Sequence, residues 1–157
     1  MMNRKIRRQD RAISYEEGLK ILEEGEYGVL ATADAGALPY ATPLSYVLHG
    51  GKLCFHCALV GHKIDNIRQN PRACFAVVGK TQAVYNGGFS TFYESCLVFG
   101  EVREIDDSEE KKQILLALAQ KYLPEHQDKA EASIRAAFAK TAVYALHIKS
   151  LSAKAKR

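Results

Sequence analysis

Apolar residues recur along this chain with two periods, and the switches between them outline its elements. Ser14-Tyr15-Glu16-Glu17 has capping-box spacing, with the serine hydroxyl placed to accept an early backbone N–H and Glu17 placed to reach back. Leu19 and Leu22 follow at helical spacing and Gly25 is a natural stop, so the pattern predicts a helix over 14–24. Tyr27 to Ala33 then reads as a buried strand, Asp34-Ala35-Gly36 as a turn, and Pro39 to Leu48 as a second strand. Pro39 and Pro43 place that strand at an edge or bulge, because proline cannot donate to a ladder. His49-Gly50-Gly51 is a tight hairpin turn and Lys52 to Ala58 a third strand.

Gly61 to Gln69 has helical spacing at Ile64 and Ile67 and stops before Pro71, since a residue preceding proline avoids the α region. A fourth strand runs from Ala73 to Val78. A loop over 79–90 carries Asn86-Gly87-Gly88 at its tip, and Phe92 to Glu104 is a long fifth strand. Ser108 is placed to cap a helix whose stripe is Ile114, Leu115, Leu118 and Tyr122, and Pro124 breaks it. A further helix covers about 129–139, and Ala142 to Ile148 forms a sixth strand. Tight turns join most of these strands, so a parallel doubly wound sheet is disfavoured. The pattern predicts a mainly β fold, a six-stranded antiparallel Greek-key barrel with helices packed outside, since closure removes sheet edges.

Composition narrows the class. At 157 residues the chain is long enough for one domain with a real core, and we read 1–157 as that single domain. The net charge of +4 invites a nucleic-acid reading, but its distribution argues against one. Arg4, Lys5, Arg7, Arg8 and Arg11 against Asp10 give residues 1–12 a net of +4. Lys149, Lys154, Lys156 and Arg157 give the last nine another +4, which leaves −4 for 13–148. The two tails are expected to be mobile, and neither nucleic acid nor membrane is an expected partner. No apolar run suits a membrane span and no leader pattern opens the chain, which points to a cytoplasmic protein. Cys54, Cys57, Cys74 and Cys96 lie in apolar, strand-like surroundings that suit buried thiols rather than disulfides.

The segment from Phe55 to Arg72 carries the most chemistry. A strand ends, Gly61 opens a helix, and His62 and Lys63 occupy its first turn, where cations oppose the helix dipole. Free backbone N–H groups, the dipole and two cationic side chains together suit an anion, most naturally a phosphate; a solvated basic helix start is the plainer alternative. Cys54 and Cys57 are formally a C-x-x-C pair, but residues three apart on a strand face opposite sides, which disfavours a shared zinc ion. Lys52, Cys54 and His56 share one face; Leu53, Phe55 and Cys57 share the other. His56, next to the anion site and near neutral in pKa, is the candidate catalytic proton donor. Tyr93 and Ser95 begin the long strand as polar groups among apolar ones, and are either a strand entering from solvent or the edge of a substrate pocket.

These residues resemble the FMN-binding split-barrel family related to pyridoxamine 5′-phosphate oxidase, and within it the 5-nitroimidazole resistance (Nim-like) flavoproteins. The resemblance is carried by Glu26 to Thr32, Pro39 to Val47, Phe55 to Ala58, Gly61-His62-Lys63, Asn66-Ile67, Asn70-Pro71-Arg72, Tyr93-Glu94-Ser95 and Val98-Phe99-Gly100, and it covers nearly the whole chain. It implies a homodimeric six-stranded split barrel with FMN at the subunit interface. FMN would be bound by Thr42, Pro43, Leu44, Ser45, Tyr46, Cys57, Ala58, Gly61, His62, Lys63 and Asn66, with Tyr93 and Ser95 at a substrate pocket, from the other subunit if not from the same one. The oxidases hold the phosphate with an Arg-Lys pair where this chain has His62-Lys63, and with a further arginine where it has Thr42, so fewer fixed charges face the phosphate here. Their C-terminal Trp- and Arg-containing substrate segment has no counterpart, since the chain contains no Trp. The implied activity is therefore FMN-dependent reduction of small electron-poor substrates such as nitroimidazoles. The alternatives are a non-catalytic flavin storage or sensor protein, or a related heme- or deazaflavin-binding split barrel. No metal is implied.

Overall fold

The computed structural model describes residues 6–157; the expectation for Arg4 and Lys5 lies outside the described residues. The capping box forms as the spacing predicts, with Ser14 Oγ accepting from the Glu17 N–H and Glu17 accepting from the Ser14 N–H, both at 3.1 Å. It opens α1 (Tyr15–Glu24). Strands β1 (Gly28–Ala33), β2 (Pro39–Leu44), β3 (Val47–His49) and β4 (Lys52–Ala58) follow. Then come α2 (His62–Gln69), the long hairpin of β5 (Arg72–Tyr85) and β6 (Phe89–Glu104), α3 (Ser108–Tyr122), α4 (Gln127–Ala137) and β7 (Thr141–Lys156). Gly50 and Gly51 both have positive φ, +56° and +73°, which the two-residue turn between β3 and β4 requires.

Seven strands form one antiparallel sheet in the order β2-β1-β5-β6-β7-β4-β3, one more than the six predicted. The predicted second strand is two strands. β2 pairs with β1 and β3 with β4, while Ser45 and Tyr46 between them join no ladder. The sheet curls, and its edge strands β2 and β3 share no ladder but are joined through Ser45 and Tyr46. This is a half-barrel, split between β2 and the end of β4.

Three other expectations need correction. Residues 79–85 and 89–91 are strand, not loop. A bulge sets Gly79 and Lys80 against Glu94, which reverses the alternation that ends at Val78. Asp107, not Ser108, caps α3, its carboxylate accepting from the Glu110 N–H at 2.7 Å. Residues 149–156 are the second half of β7, paired with β6 from Lys156↔Tyr93 to Ser150↔Phe99, and not a mobile tail. A second bulge at Lys149 brings the His147 carbonyl so close to Gly100 that a Cβ there would lie 2.0 Å from its oxygen.

Two clusters hold the layers together. Inside the curl lie Leu30, Leu53, Phe55, Phe75, Val77, Val98, Val102, Tyr144 and Leu146, joined by Ile21 and Leu22 of α1 and Ile64 and Ile67 of α2. These two helices thus contribute to the inner core instead of packing outside. Outside, Ile114 and Leu118 of α3 cover Cys54, Val143 and Ala145. Among the described residues no α-helix joins a hydrophobic cluster on the outer face of β1, β5 and β6: the helical residues of the inner cluster touch its opposite side. Among the described residues no helix is long and apolar enough to cross a membrane.

Candidate functional site

The split is the feature of the fold that positions chemistry. Antiparallel pairing between β3 and β4 runs from His49↔Lys52 to Val47↔Cys54 and then stops. Continued, that register would set Ser45 against His56 and Pro43 against Ala58. No ladder bonds form there, so the edge of β2 and the facing edge of β4 carry unpaired backbone groups. Residues opposite one another on a ladder share a face. Thr42, paired with the fully buried Leu30, and Leu44, paired with Gly28, therefore face the inner side, as does Cys57. Ser45 and His56, both exposed, form the outer lip with Pro43 and Ala58.

α2 sits over the top of the split. Its N-cap is Gly61, with φ +143° and nothing within 4 Å of where a Cβ would stand. No side chain caps the helix, and its first intrahelical bonds run from the Ile64 and Asp65 N–H groups to the Gly61 carbonyl. The preceding N–H groups face open space at the positive end of the dipole. The exposed His62 ring lies 4.1 Å from the Tyr40 ring, centroid to centroid, which fixes its direction over β2. Lys63 is half-buried, and its charge is felt at Cys57: burial pushes that thiol up, and Lys63 partly offsets the rise. Thr42 Oγ1 is buried and has no hydrogen-bond partner. An orphaned buried hydroxyl costs about 1–3 kcal/mol unless something occupies it. A bare helix N-terminus, two cationic side chains and an unpartnered donor around one cleft can hold an anionic group and the edge of an attached polar ring.

The remaining candidate residues are placed differently. Asn66 is buried, and its amide donates to Thr32 Oγ1 at 3.2 Å, tying α2 to β1. Tyr46 is wholly buried; its N–H donates to the Tyr122 hydroxyl and its own hydroxyl donates to the Leu22 carbonyl at 2.5 Å. His56 stands on the opposite face of β4 from Cys57, and desolvation lowers its pKa, which favours the neutral ring. Tyr93 and Ser95 lie on the outer face of β6, three strand spacings or roughly 14 Å from β2. The Tyr93 oxygen accepts from Arg11 at 3.4 Å, and this lowers its pKa. One subunit does not bring these two residues to the split.

Two grooves lie elsewhere. One of about 860 Å³ runs between α3 and α4 beside Lys112 and Phe138. One of about 560 Å³ lies at the β5 bulge, lined by Tyr27, Val29, Ala76, Val78 and Lys80. Neither contains a residue of the split. Sequence reasoning missed Tyr122 and Lys121, which reach Tyr46 from α3. Tyr122 reads as one more apolar position in a helical stripe, and only its hydroxyl distinguishes it from a phenylalanine.

The model of a protein family described as pyridoxamine 5′-phosphate oxidase matches residues 14–155. None of the curated proteins matches the sequence. Among solved structures, a putative 5-nitroimidazole antibiotic resistance protein from Bacteroides thetaiotaomicron superposes with a TM-score of 0.76 at 19% identity, covering 92% of this chain and 86% of that one. A flavocytochrome from Azotobacter vinelandii gives 0.82 at 19% identity over 98% and 72%. An FAD-binding protein from Mesorhizobium loti gives 0.67 at 28% identity over 94% and 98%.

Proposed function

The chain belongs to the pyridoxamine 5′-phosphate oxidase family, and from that premise we propose that it binds FMN in the split and acts as a cytoplasmic oxidoreductase on small electron-poor molecules such as nitroimidazoles. One observation carries the flavin reading: the buried, unpartnered Thr42 hydroxyl on the strand where the ring edge would lie. The residues fit such a group. Gly61, His62 and Lys63 would hold the phosphate, with the open space beside Gly61 admitting its oxygens. Thr42 would donate its hydroxyl, the unpaired edges near Pro43, Leu44, Ser45 and Ala58 would meet the ring, and Cys57 would line the inner side. Bound FMN would supply the redox centre.

A cleft this open needs a second wall. The bare outer face supports a homodimer that provides it. Pro43, Val29, Ala76, Leu97 and Ser152 form one cross-strand row, and Ala41, Ala31, Cys74, Phe99 and Ser150 form the next. Neither row holds a charge, and together they span roughly 20 Å of sheet. Tyr93 and Ser95 stand just beyond the first row, so a partner docked here would carry its own Tyr93 and Ser95 towards the split.

A second reading has its own support. On the inner side of the split burial pushes the Cys57 thiol up and so keeps it protonated, while the neutral His56 stands on the outer lip. Such a site suits a protein that holds or senses flavin without turnover. The purified protein decides between these. Flavin maxima support the cofactor, and a Soret band or a deazaflavin spectrum overturns it. Anaerobic oxidation of the reduced, loaded protein by a nitroimidazole then separates a reductase from a carrier, which shows no acceptor-specific rate.

A further inference from the structure

Ser45 and Tyr46 lack ladder partners, so their backbone groups must bond elsewhere. Tyr46 finds its partner on α3. Its N–H donates to the Tyr122 hydroxyl at 2.9 Å, and that oxygen lies 2.6 Å from the Glu26 carbonyl and 3.0 Å from the Tyr46 carbonyl. A phenol has one proton, and the shorter contact gives it to Glu26. Glu26 leads through Tyr27 into β1, the ladder partner of β2. One hydroxyl therefore ties the break in the sheet to the strand beside it. Lys121 adds to this. Its ammonium sits 4.0 Å from the Tyr46 ring centroid, buried and without a hydrogen-bond partner. α3 is itself anchored to β4, the strand across the split, through the packing of Ile114 and Leu118 on Cys54 and the ion pair between Glu110 and Lys52.

The Ser45–Tyr46 peptide is trans. In a planar trans peptide the N–H and C=O point in opposite directions. With the N–H held by Tyr122, the Ser45 carbonyl must point away from that hydroxyl. Resting on the flavin reading above, we infer that Tyr122, supported by Lys121, is a positioning residue that aims the Ser45 backbone at the flavin ring. It touches no ligand; it sets the direction of an acceptor that does.

The test compares wild type with Tyr122→Phe, which removes the hydroxyl alone, by titrating apoprotein with FMN and with riboflavin. Riboflavin lacks the phosphate, so it reports the ring side of the site. The expected result is a displaced visible absorption band at saturating FMN, with affinity for both flavins lowered by the same factor, fivefold or more. Unchanged spectrum and affinities, with only a lower melting temperature, would overturn the inference and leave Tyr122 a structural residue. If Tyr122→Phe does not fold, Lys121→Met keeps the side-chain bulk and is expected to displace the band in the same way; no displacement there overturns the inference. Failure of the flavin reading itself would show in wild type, as no binding of either flavin.

Discussion

His62 and Lys63 occupy helix positions where cations are normally unfavourable. A chain that placed them there only for solubility would lose nothing by giving them up. If they hold a phosphate, replacing both by alanine weakens FMN binding by about 2 kcal/mol or more, roughly thirtyfold in Kd, because charge-assisted contacts contribute ~1.5–3 kcal/mol each. Fluorescence titration of the apoprotein measures it, and unchanged affinity would reduce the helix start to a solvated surface. Thr42 offers a sharper contrast, because its two effects have opposite signs. Its buried hydroxyl has no partner in the protein, so Thr42→Val is expected to stabilise the apoprotein by about 1 kcal/mol in chemical denaturation. The same change removes a donor from the cleft and is expected to weaken FMN binding. A valine that stabilises without affecting flavin affinity would place the ligand away from β2. These residues could be named from the sequence because their oddity is visible there: cations in a first helical turn, and a threonine where the resemblance to the oxidases implies an arginine. Tyr122 could not, since its role depends on a break in the sheet that is far away in sequence.

Elements were legible wherever burial on one side imposed a clean alternation, and obscure where it did not. The capping box of α1, the Gly50-Gly51 turn and β4 match their local signals. The far half of the β5–β6 hairpin was hidden by the bulge at Gly79 and Lys80 and by strands open on both sides, with Phe89 97% exposed at the turn. The position of the split was hidden from the apolar pattern because Pro39 to Leu48 reads as one uninterrupted extended run, and the split itself was implied only by the family resemblance. The end of β7 shows how composition can mask a period. Leu151, Ala153 and Ala155 face inward and Ser152, Lys154 and Lys156 face outward, yet the basic residues made the stretch look like a tail. This difference has a measurable consequence. Gly18 of α1 lies against Leu151 and Ala153, where a Cβ would come within 2.5 Å of the leucine side chain. Arg157 pairs with Glu17 at 2.7 Å and with Glu94 at 3.0 Å. Deleting residues 151–157 would unseat α1 and bare the edge of β6. The expected outcome is loss of cooperative thermal unfolding, followed by circular dichroism; a truncated chain with wild-type melting would return the segment to the status of a tail.

Among the described residues the α-helices leave the outer face of β1, β5 and β6 uncovered, and the net charge bears on how that face is used. Of the basic residues that raise the total to +4, Lys154 and Lys156 lie on the outer face of β7 and Arg8 is bonded to Asp10, so the positive charge borders the uncharged rows rather than crossing them. Association of two copies through these rows would bury small and apolar side chains, in the manner of a stable interface of ~800 Å² per partner. Leu97 lies in the first row, half-buried on the outer face between Ala76 and Ser152, with its neighbours Cys96 and Val98 pointing into the core. Leu97→Glu therefore leaves the inner packing intact while placing a carboxylate in the proposed interface. A two-fold interface meets every substitution twice. At roughly 2 kcal/mol for each unpaired buried carboxylate, dimer dissociation would strengthen by about a thousandfold. Sedimentation at micromolar concentration is expected to find a monomer with native circular dichroism. Because the partner's Tyr93 and Ser95 would leave with it, FMN affinity is expected to fall in the same variant although no residue of the split has changed. A monomer that kept full FMN affinity would mean that one subunit completes the site, and a dimer that survived the carboxylate would place the interface on another face.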